Sequence, residues 1–220
     1  MRLPFRRARR SPAADAYRRS SPPSAKTPWR EATYAAVDLE TTGLDPRRDE
    51  IISFAAVPIE DGRVVAGRIC TVLVRPRQMP DAETICIHGL RPVDLTDAPP
   101  LIEALDLILG SLTGRVLVAH PAWVERGFLR QALKSAGVRP KEPILDTSGL
   151  ARSLLAERGV VSPRSLALSD TARELGLPVH RPHHADGDAL TTAQLFLALV
   201  THLDEVEPQT VGSLARLSGD

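Results

Sequence analysis

Apolar and polar positions fall into no regular pattern before Thr33, and into a clear one after it. Thr33–Leu39 is a short apolar run that ends in acids, which predicts a buried strand. Ile51–Glu60 and Val64–Val74 are rich in β-branched residues and are joined by Asp61-Gly62, a strong hairpin signal. The three runs together predict an antiparallel meander. The second half then alternates helix and strand. Leu101–Leu112 and Trp123–Ala136 carry apolar residues at helical spacing on either side of the strand-like Val116–Ala119. Ile144-Leu145 is a brief strand leading to Asp146, Leu150–Arg158 and Ser165–Leu175 read as helices, and Asp186–Leu203 is the longest helix. Residues 204–220 hold one short helix and a frayed end. The class predicted is α/β: a mixed central sheet, meander first and βα units afterwards, flanked by helices.

Composition adds little until charge is divided by position. The formal net charge of +1 argues at first against a nucleic-acid binder. Residues 1–30, however, hold nine basic side chains and one acid, a net of +8, so the remaining 190 residues carry −7. With five prolines and no apolar period, residues 1–30 read as a disordered basic arm, able to attract phosphate backbones or serving as a solubilising tail. Its Arg-rich character also resembles a transit peptide, but Pro22-Pro23 and Pro28 interrupt any amphipathic helix. The domain division expected is therefore 1–30 arm, 31–204 folded domain and 205–220 tail. No apolar run approaches the roughly 18 residues of a membrane span. The two cysteines, Cys70 and Cys86, exclude a disulfide scaffold and fit a reducing compartment, so a cytoplasmic protein is expected.

The anomaly is a set of carboxylates at positions the periodicity assigns to the interior. Asp38 and Glu40 are i and i+2 of one strand and project from the same face. Glu125 heads the apolar stripe Phe128, Leu129, Ala132 and Leu133, and Asp188 lies on a mostly packed face in the first turn of its helix. Each acid alone has an ordinary reading, as an edge residue or a helix-start acid. Four acids from three separate elements, all pointing inward, call for pairing or for a metal. Hard oxygens without a Cys or multi-His set suit Mg²⁺ or Mn²⁺, and several such acids are the ingredients of two-metal phosphoryl transfer. His183, five residues before Asp188, falls in the loop feeding that helix and is the candidate base.

With these residues assembled, the sequence resembles the DEDDh 3′–5′ exonucleases, the DnaQ-like group that includes the proofreading epsilon subunit of bacterial DNA polymerase III. Val37-Asp38-Leu39-Glu40-Thr41-Thr42-Gly43-Leu44 matches the first motif, and His183-His184-Ala185-Asp186-Gly187-Asp188-Ala189 matches H-x-A-x-x-D-A. The second motif departs: H-N-x-x-F-D appears as His120-Pro121-Ala122-Trp123-Val124-Glu125, with the acid lengthened by one methylene. The resemblance covers about residues 33–203 and implies a ribonuclease H-like fold. It further implies that Asp38, Glu40 and Asp188 ligate two Mg²⁺ or Mn²⁺ ions with Glu125 in support. His183 would activate water, and a nucleoside 5′-monophosphate would leave the 3′ end of single-stranded DNA or RNA. Backbone N–H groups of Thr41 and Thr42, Leu44 as an apolar wedge, and His88 in Ile87-His88-Gly89-Leu90 would contact the substrate. A polymerase or other protein partner is implied too.

Two other readings differ in class or substrate. One is a catalytically weakened exonuclease-like binding module; the other is an RNA or short-oligonucleotide 3′–5′ exonuclease. The remaining His120, His180, His184 and His202 have no metal-site spacing and read as structural or solvated, Trp123 as packing at a helix start, and Asp146 as a helix cap.

Overall fold

The structure is a computed structural model and describes residues 11–159 and 166–219. Strand β1 (Tyr34–Thr41) is the spine. It pairs antiparallel with β2 (Ile51–Glu60), which turns at Asp61-Gly62 into the short β3 (Arg63–Val64). Both turn residues have positive φ, 50° and 66°, the conformation for which an Asp-Gly hairpin is suited. The third run of the expected meander is broken by a 3₁₀ turn at Ala66–Arg68, so β4 (Cys70–Leu73) is a separate strand that also pairs with β2.

Helices α1 (Pro12–Arg19), α2 (Ala82–His88), α3 (Pro92–Leu95) and α4 (Leu101–Leu112) lie between or before these strands and β5 (Val116–Ala119). After β5 come α5 (Ala122–Ser135), β6 (Ile144–Asp146), α6 (Thr147–Glu157), α7 (Leu168–Glu174), α8 (Ala185–Val206) and α9 (Val211–Ser218). β5 joins β1 in parallel and β6 joins β5 in parallel, giving the order β3-β2-β1-β5-β6 with β4 on β2. The mixed sheet with helices on both faces is the α/β class expected. Among the described residues no helix is long and apolar enough to cross a membrane.

Alternation along β1 divides the core. Ala35, Val37 and Leu39 face one cluster with α1, α4 and α5, including Tyr17, Ile108 and Phe128. Tyr34 and Ala36 face the other, with α6, α8 and α9, where the Tyr34 and Phe196 rings lie 4.8 Å apart. Small residues on this side, among them Ala36, Ala55, Ala189 and Ala193, let α8 lie close across the sheet.

The chain ends depart from expectation. Within the segment read as a disordered arm, Pro12–Arg19 is a helix, with Ser11 Oγ accepting from Ala14 N at 3.1 Å and Pro12 at its start. Tyr17 is buried, and its hydroxyl accepts from Lys141 N at 3.0 Å. Two buried residues, Ala14 and Tyr17, secure this helix, too few to register as a period. Residues 1–10 lie outside those described. Residues 25–29 then run against 209–212: Trp29 N donates to Gln209 O at 3.2 Å and Gly212 N to Ala25 O at 2.8 Å. The expected C-terminal tail is likewise folded in, as α9 packs on α6 so tightly that a Cβ at Gly149 would lie 2.1 Å from Ser218 O.

Candidate active site

The row Tyr34, Ala36, Asp38, Glu40 on one face of β1 begins apolar and ends in two carboxylates. Along the facing α8, the apolar Ala193 and Ala189 give way to Asp188 in the first turn. Helix and strand thus bring their acids together where the apolar part of the interface stops. One oxygen from each of Asp38, Glu40 and Asp188 lies within 4.8 Å of the others. Asp38 and Glu40 are buried and Asp188 is half-buried.

Glu125 reaches the same end of the sheet from α5. Its stripe of Phe128, Leu129, Ala132 and Leu133 is buried as its spacing required. The carboxylate itself is only 3% exposed, and its Oε2 has no hydrogen-bond partner. It stands outside the three-acid cluster, as a neighbour of it rather than a member.

The electrostatics express this crowding. Burial first, and then the charges of Glu125, Glu40 and Asp188, hold the Asp38 carboxyl well above the usual carboxylate range. Burial and then Asp188 push Glu40 up to about 7. Glu125 rises to about 8, by burial and then by Asp146 and Glu40, against the opposing effect of a backbone N–H. Asp188 is also raised by burial, although the N–H of His183 and the neighbouring imidazoles of His183 and His184 pull it back. Buried acids that repel one another and lack a paired base fit a divalent cation; the unpartnered Glu125 oxygen points the same way.

His183 lies in the loop before α8, as its spacing demanded. It is exposed with φ of 59°, and its backbone N donates to Asp188 Oδ2 at 2.8 Å, which fixes the loop on the acid. Gly187 makes this fold-back feasible, since a Cβ there would meet the carbonyl oxygens of His180 and Arg181 at 2.4 and 2.5 Å. Arg181 adds an ion pair to Asp186.

The first-motif turn behaves less simply. Leu44 is 70% exposed at the tip of the loop after β1, free to meet a ligand. Thr41 is buried and its hydroxyl donates to Gly43 O at 2.6 Å. The Thr42 N–H, expected to hold a nucleotide, instead donates to Glu50 O at 3.0 Å, and the Thr42 hydroxyl accepts from Glu50 N at 3.0 Å. Closing the loop consumes these groups. Gly43 lets Asp49 fold inward, a Cβ there lying 2.5 Å from the carboxylate.

His88 ends α2, before Gly89 at φ of 72°. It is 3% exposed; Nδ1 accepts from Leu90 N at 3.0 Å, so the neutral ring carries its proton on Nε2, which has no partner. Burial, and then the nearby His184, lower its pKa and keep it neutral.

The residues read as structural are so placed. His120 is buried, bonded through Nδ1 to Thr147 Oγ1 at 2.8 Å and through Nε2 to Leu166 O at 2.7 Å. Asp146 caps α6 by accepting from Ser148 N at 2.8 Å, and also accepts from Ala122 N at 3.1 Å, which ties the start of α5 to β6. Trp123 differs from expectation: it is 59% exposed. Cys86 is exposed as well.

With the geometry in place, the comparisons are specific. A family model described as Exonuclease (RNase_T) matches residues 35–196. A DNA polymerase III PolC-type protein of Thermotoga petrophila is 36% identical over 179 residues, covering 81% of this chain and 12% of that protein. The 3′-5′ exonuclease DinG of Bacillus subtilis is 30% identical over 189 residues, covering 84% of this chain and 19% of that protein. The chain therefore spans less than a fifth of the length of either relative. The solved structure of Exonuclease X in complex with 5′ overhanging duplex DNA superposes with a TM-score of 0.63 at 24% identity, covering 84% of this chain and 99% of that one. At that identity the likeness carries the fold, which is the ribonuclease H-like one.

Proposed function

The chain belongs to the exonuclease family of the matched model, and from that premise we propose that it removes nucleotides one at a time from the 3′ end of single-stranded DNA. The observation that carries the reading is the convergence of Asp38, Glu40 and Asp188 within 4.8 Å, beside the unpaired oxygen of Glu125. Asp38, Glu40 and Asp188 would hold two Mg²⁺ or Mn²⁺ ions, with Glu125 supporting the second. The chemistry such ions supply is neutralisation of charge on the attacking and leaving oxygens of an in-line displacement.

The chain's own residues do the rest. His183, held over Asp188 by its backbone N–H, takes a proton from the attacking water. A new P–O bond forms at the terminal phosphorus, and the bond to the 3′ oxygen of the penultimate nucleotide breaks. That oxygen collects a proton and becomes the new 3′ hydroxyl, while the terminal residue leaves as a nucleoside 5′-monophosphate. Leu44 wedges against the terminal base. Thr41 shapes the turn, and Thr42 acts through the loop it closes rather than by donating to the nucleotide. His88 offers Nε2–H as a fixed donor at the edge of the cleft.

DNA is favoured because the PolC-type relative is a DNA polymerase, and the same relative supports a polymerase as partner. The retained inward acids argue against a weakened binding module, since a lost site gives no reason to keep uncompensated buried charge. The test is a 5′-labelled 20-mer with Mg²⁺ or Mn²⁺, with DNA, RNA and a trimer run side by side. A ladder shortening from the 3′ end, lost with chelator, is expected. An inert protein with either metal would overturn the reading, and faster trimming of RNA or of the trimer would move the substrate class.

A further inference from the structure

At the same end of the sheet, on the face opposite the acids, lies a groove of about 610 Å³ that the chemistry above does not use. Its floor is apolar, built from Ile51, Val74, Leu101, Phe128 and Ala132. Its rim is basic, with Arg47 and Arg48 from the loop after β1 and Arg75 and Arg77 from the chain after β4. The two acids that line it are already engaged. Glu50 binds Arg77 through N at 2.8 Å and Nε at 2.9 Å, and Asp49 accepts from Asp45 N at 2.8 Å. Gln131 is shared with a neighbouring hollow of about 200 Å³ whose other lining residues are Arg130, Lys134 and Arg139. Seven cations thus follow one surface of a domain that is otherwise net negative. Among the described residues Arg47, Arg75, Arg130, Lys134 and Arg139 form no ion pair.

We propose that this basic groove binds the phosphate backbone of the substrate strand upstream of the nucleotide being removed. The inference rests on the exonuclease reading. The loop after β1 links the two places: Glu40 belongs to the acid cluster and Arg47, seven residues on, lines the groove. A strand whose 3′ end lies at the acids crosses this loop to lay its next phosphates among the arginines. A cationic rim along an open groove suits the phosphates of a single strand laid within it. Trimers end before the groove; a 20-mer fills it.

The test uses the full chain with Arg47, Arg130 and Lys134 all changed to Ser, three exposed cations without ion pairs. Binding of a fluorescent single-stranded 20-mer is followed by anisotropy in EDTA across KCl concentrations. Each phosphate contact on a single strand contributes about 0.7 to the salt slope, so the triple variant should lose about 2 and bind roughly 50-fold more weakly at 0.15 M. Arg47→Lys with Arg130→Lys, which keeps the charge, should retain the wild-type slope. The ratio of KM for the 20-mer to KM for a trimer should rise in the triple variant. An unchanged slope and ratio would overturn the proposal. So would a polyglutamate probe that loses binding in the variant while the 20-mer does not, which would assign the surface to an acidic protein. The exonuclease reading fails separately, by absence of trimer cleavage with either metal.

Discussion

Glu125→Gln should raise the stability of the metal-free protein relative to wild type by an amount that grows with pH. Glu125 is 3% exposed, Oε2 has no partner, and its pKa stands at about 8 against an ordinary 4.5. A carboxyl raised in the folded state contributes its full stability below the unfolded value and loses it as pH climbs to the folded one. Across pH 4.5 to 8 the folded chain must therefore hold a proton that the unfolded chain releases. At 1.36 kcal/mol per pK unit, the loss is about 1 kcal/mol at pH 5, about 3 at pH 7, and level near 5 above pH 9. Gln keeps the shape and removes the titration. Its own cost, an amide without full partners, is about 1–3 kcal/mol and independent of pH, so the slope rather than the offset is diagnostic. Between pH 5 and 7 the Tm difference, variant minus wild type, should rise by roughly 5–10 °C in a domain of this size. Thermal melts in EDTA at half-unit pH steps would measure it. A Tm difference that is flat with pH refutes the argument that Glu125 is an uncompensated buried acid. Added Mn²⁺ should stabilise the wild type more than the variant, because only the wild type keeps the carboxylate that the cation would neutralise.

Asp38→Asn should abolish both 3′ cleavage and the rise in Tm on adding Mn²⁺, which gel assay and melts read independently. His183→Gln should lower kcat by about 10²–10⁴-fold while the Mn²⁺-induced rise in Tm persists, separating a proton carrier from a ligand. Gly187→Ala should displace the 180–184 loop, since its Cβ would meet two carbonyl oxygens at 2.4 and 2.5 Å, and cost about 1–3 kcal/mol along with activity; wild-type Tm and kcat would sink that account. Tyr17→Ala should cost about 3 kcal/mol, or roughly 6–12 °C in Tm, showing that α1 is part of the folded unit.

What could be seen in the sequence was whatever repeats at a fixed spacing. Val116–Ala119 and Leu101–Leu112 were bounded to the residue because each carries an unbroken apolar pattern. The i, i+2 rule placed Asp38 with Glu40, and the helical stripe placed Glu125 inward. Contacts between distant segments left no such trace. Helix α1 depends on Tyr17 meeting Lys141, more than a hundred residues away, and the Trp29 strap depends on Gln209. The Thr42 N–H looked available in the motif because its partner, the Glu50 carbonyl, stands across a loop whose closure the motif does not encode. The arginine groove takes residues from four segments, none of which carries more than two cations of it.

The split among the four acids follows from where each element ends. β1 and α8 share an apolar interface, and their acids meet where that interface gives out, so Asp38, Glu40 and Asp188 are gathered by the same packing that holds the fold together. Glu125 comes from the other core cluster, on a helix whose register is set by Phe128 and Leu129, and its side chain approaches across the end of the sheet. The extra methylene is then a matter of reach from a helix that the core has already fixed. Shortening it to Asp cannot be compensated by moving α5 without unpacking that stripe. Glu125→Asp should therefore leave the three-acid cluster and its metal affinity largely intact, yet withdraw the fourth carboxylate from it. If Glu125 supports the second ion, the variant should need a higher Mn²⁺ concentration for half-maximal cleavage while the high-affinity metal-induced rise in Tm persists. If activity and metal dependence match the wild type, Glu125 acts only as a neighbouring charge.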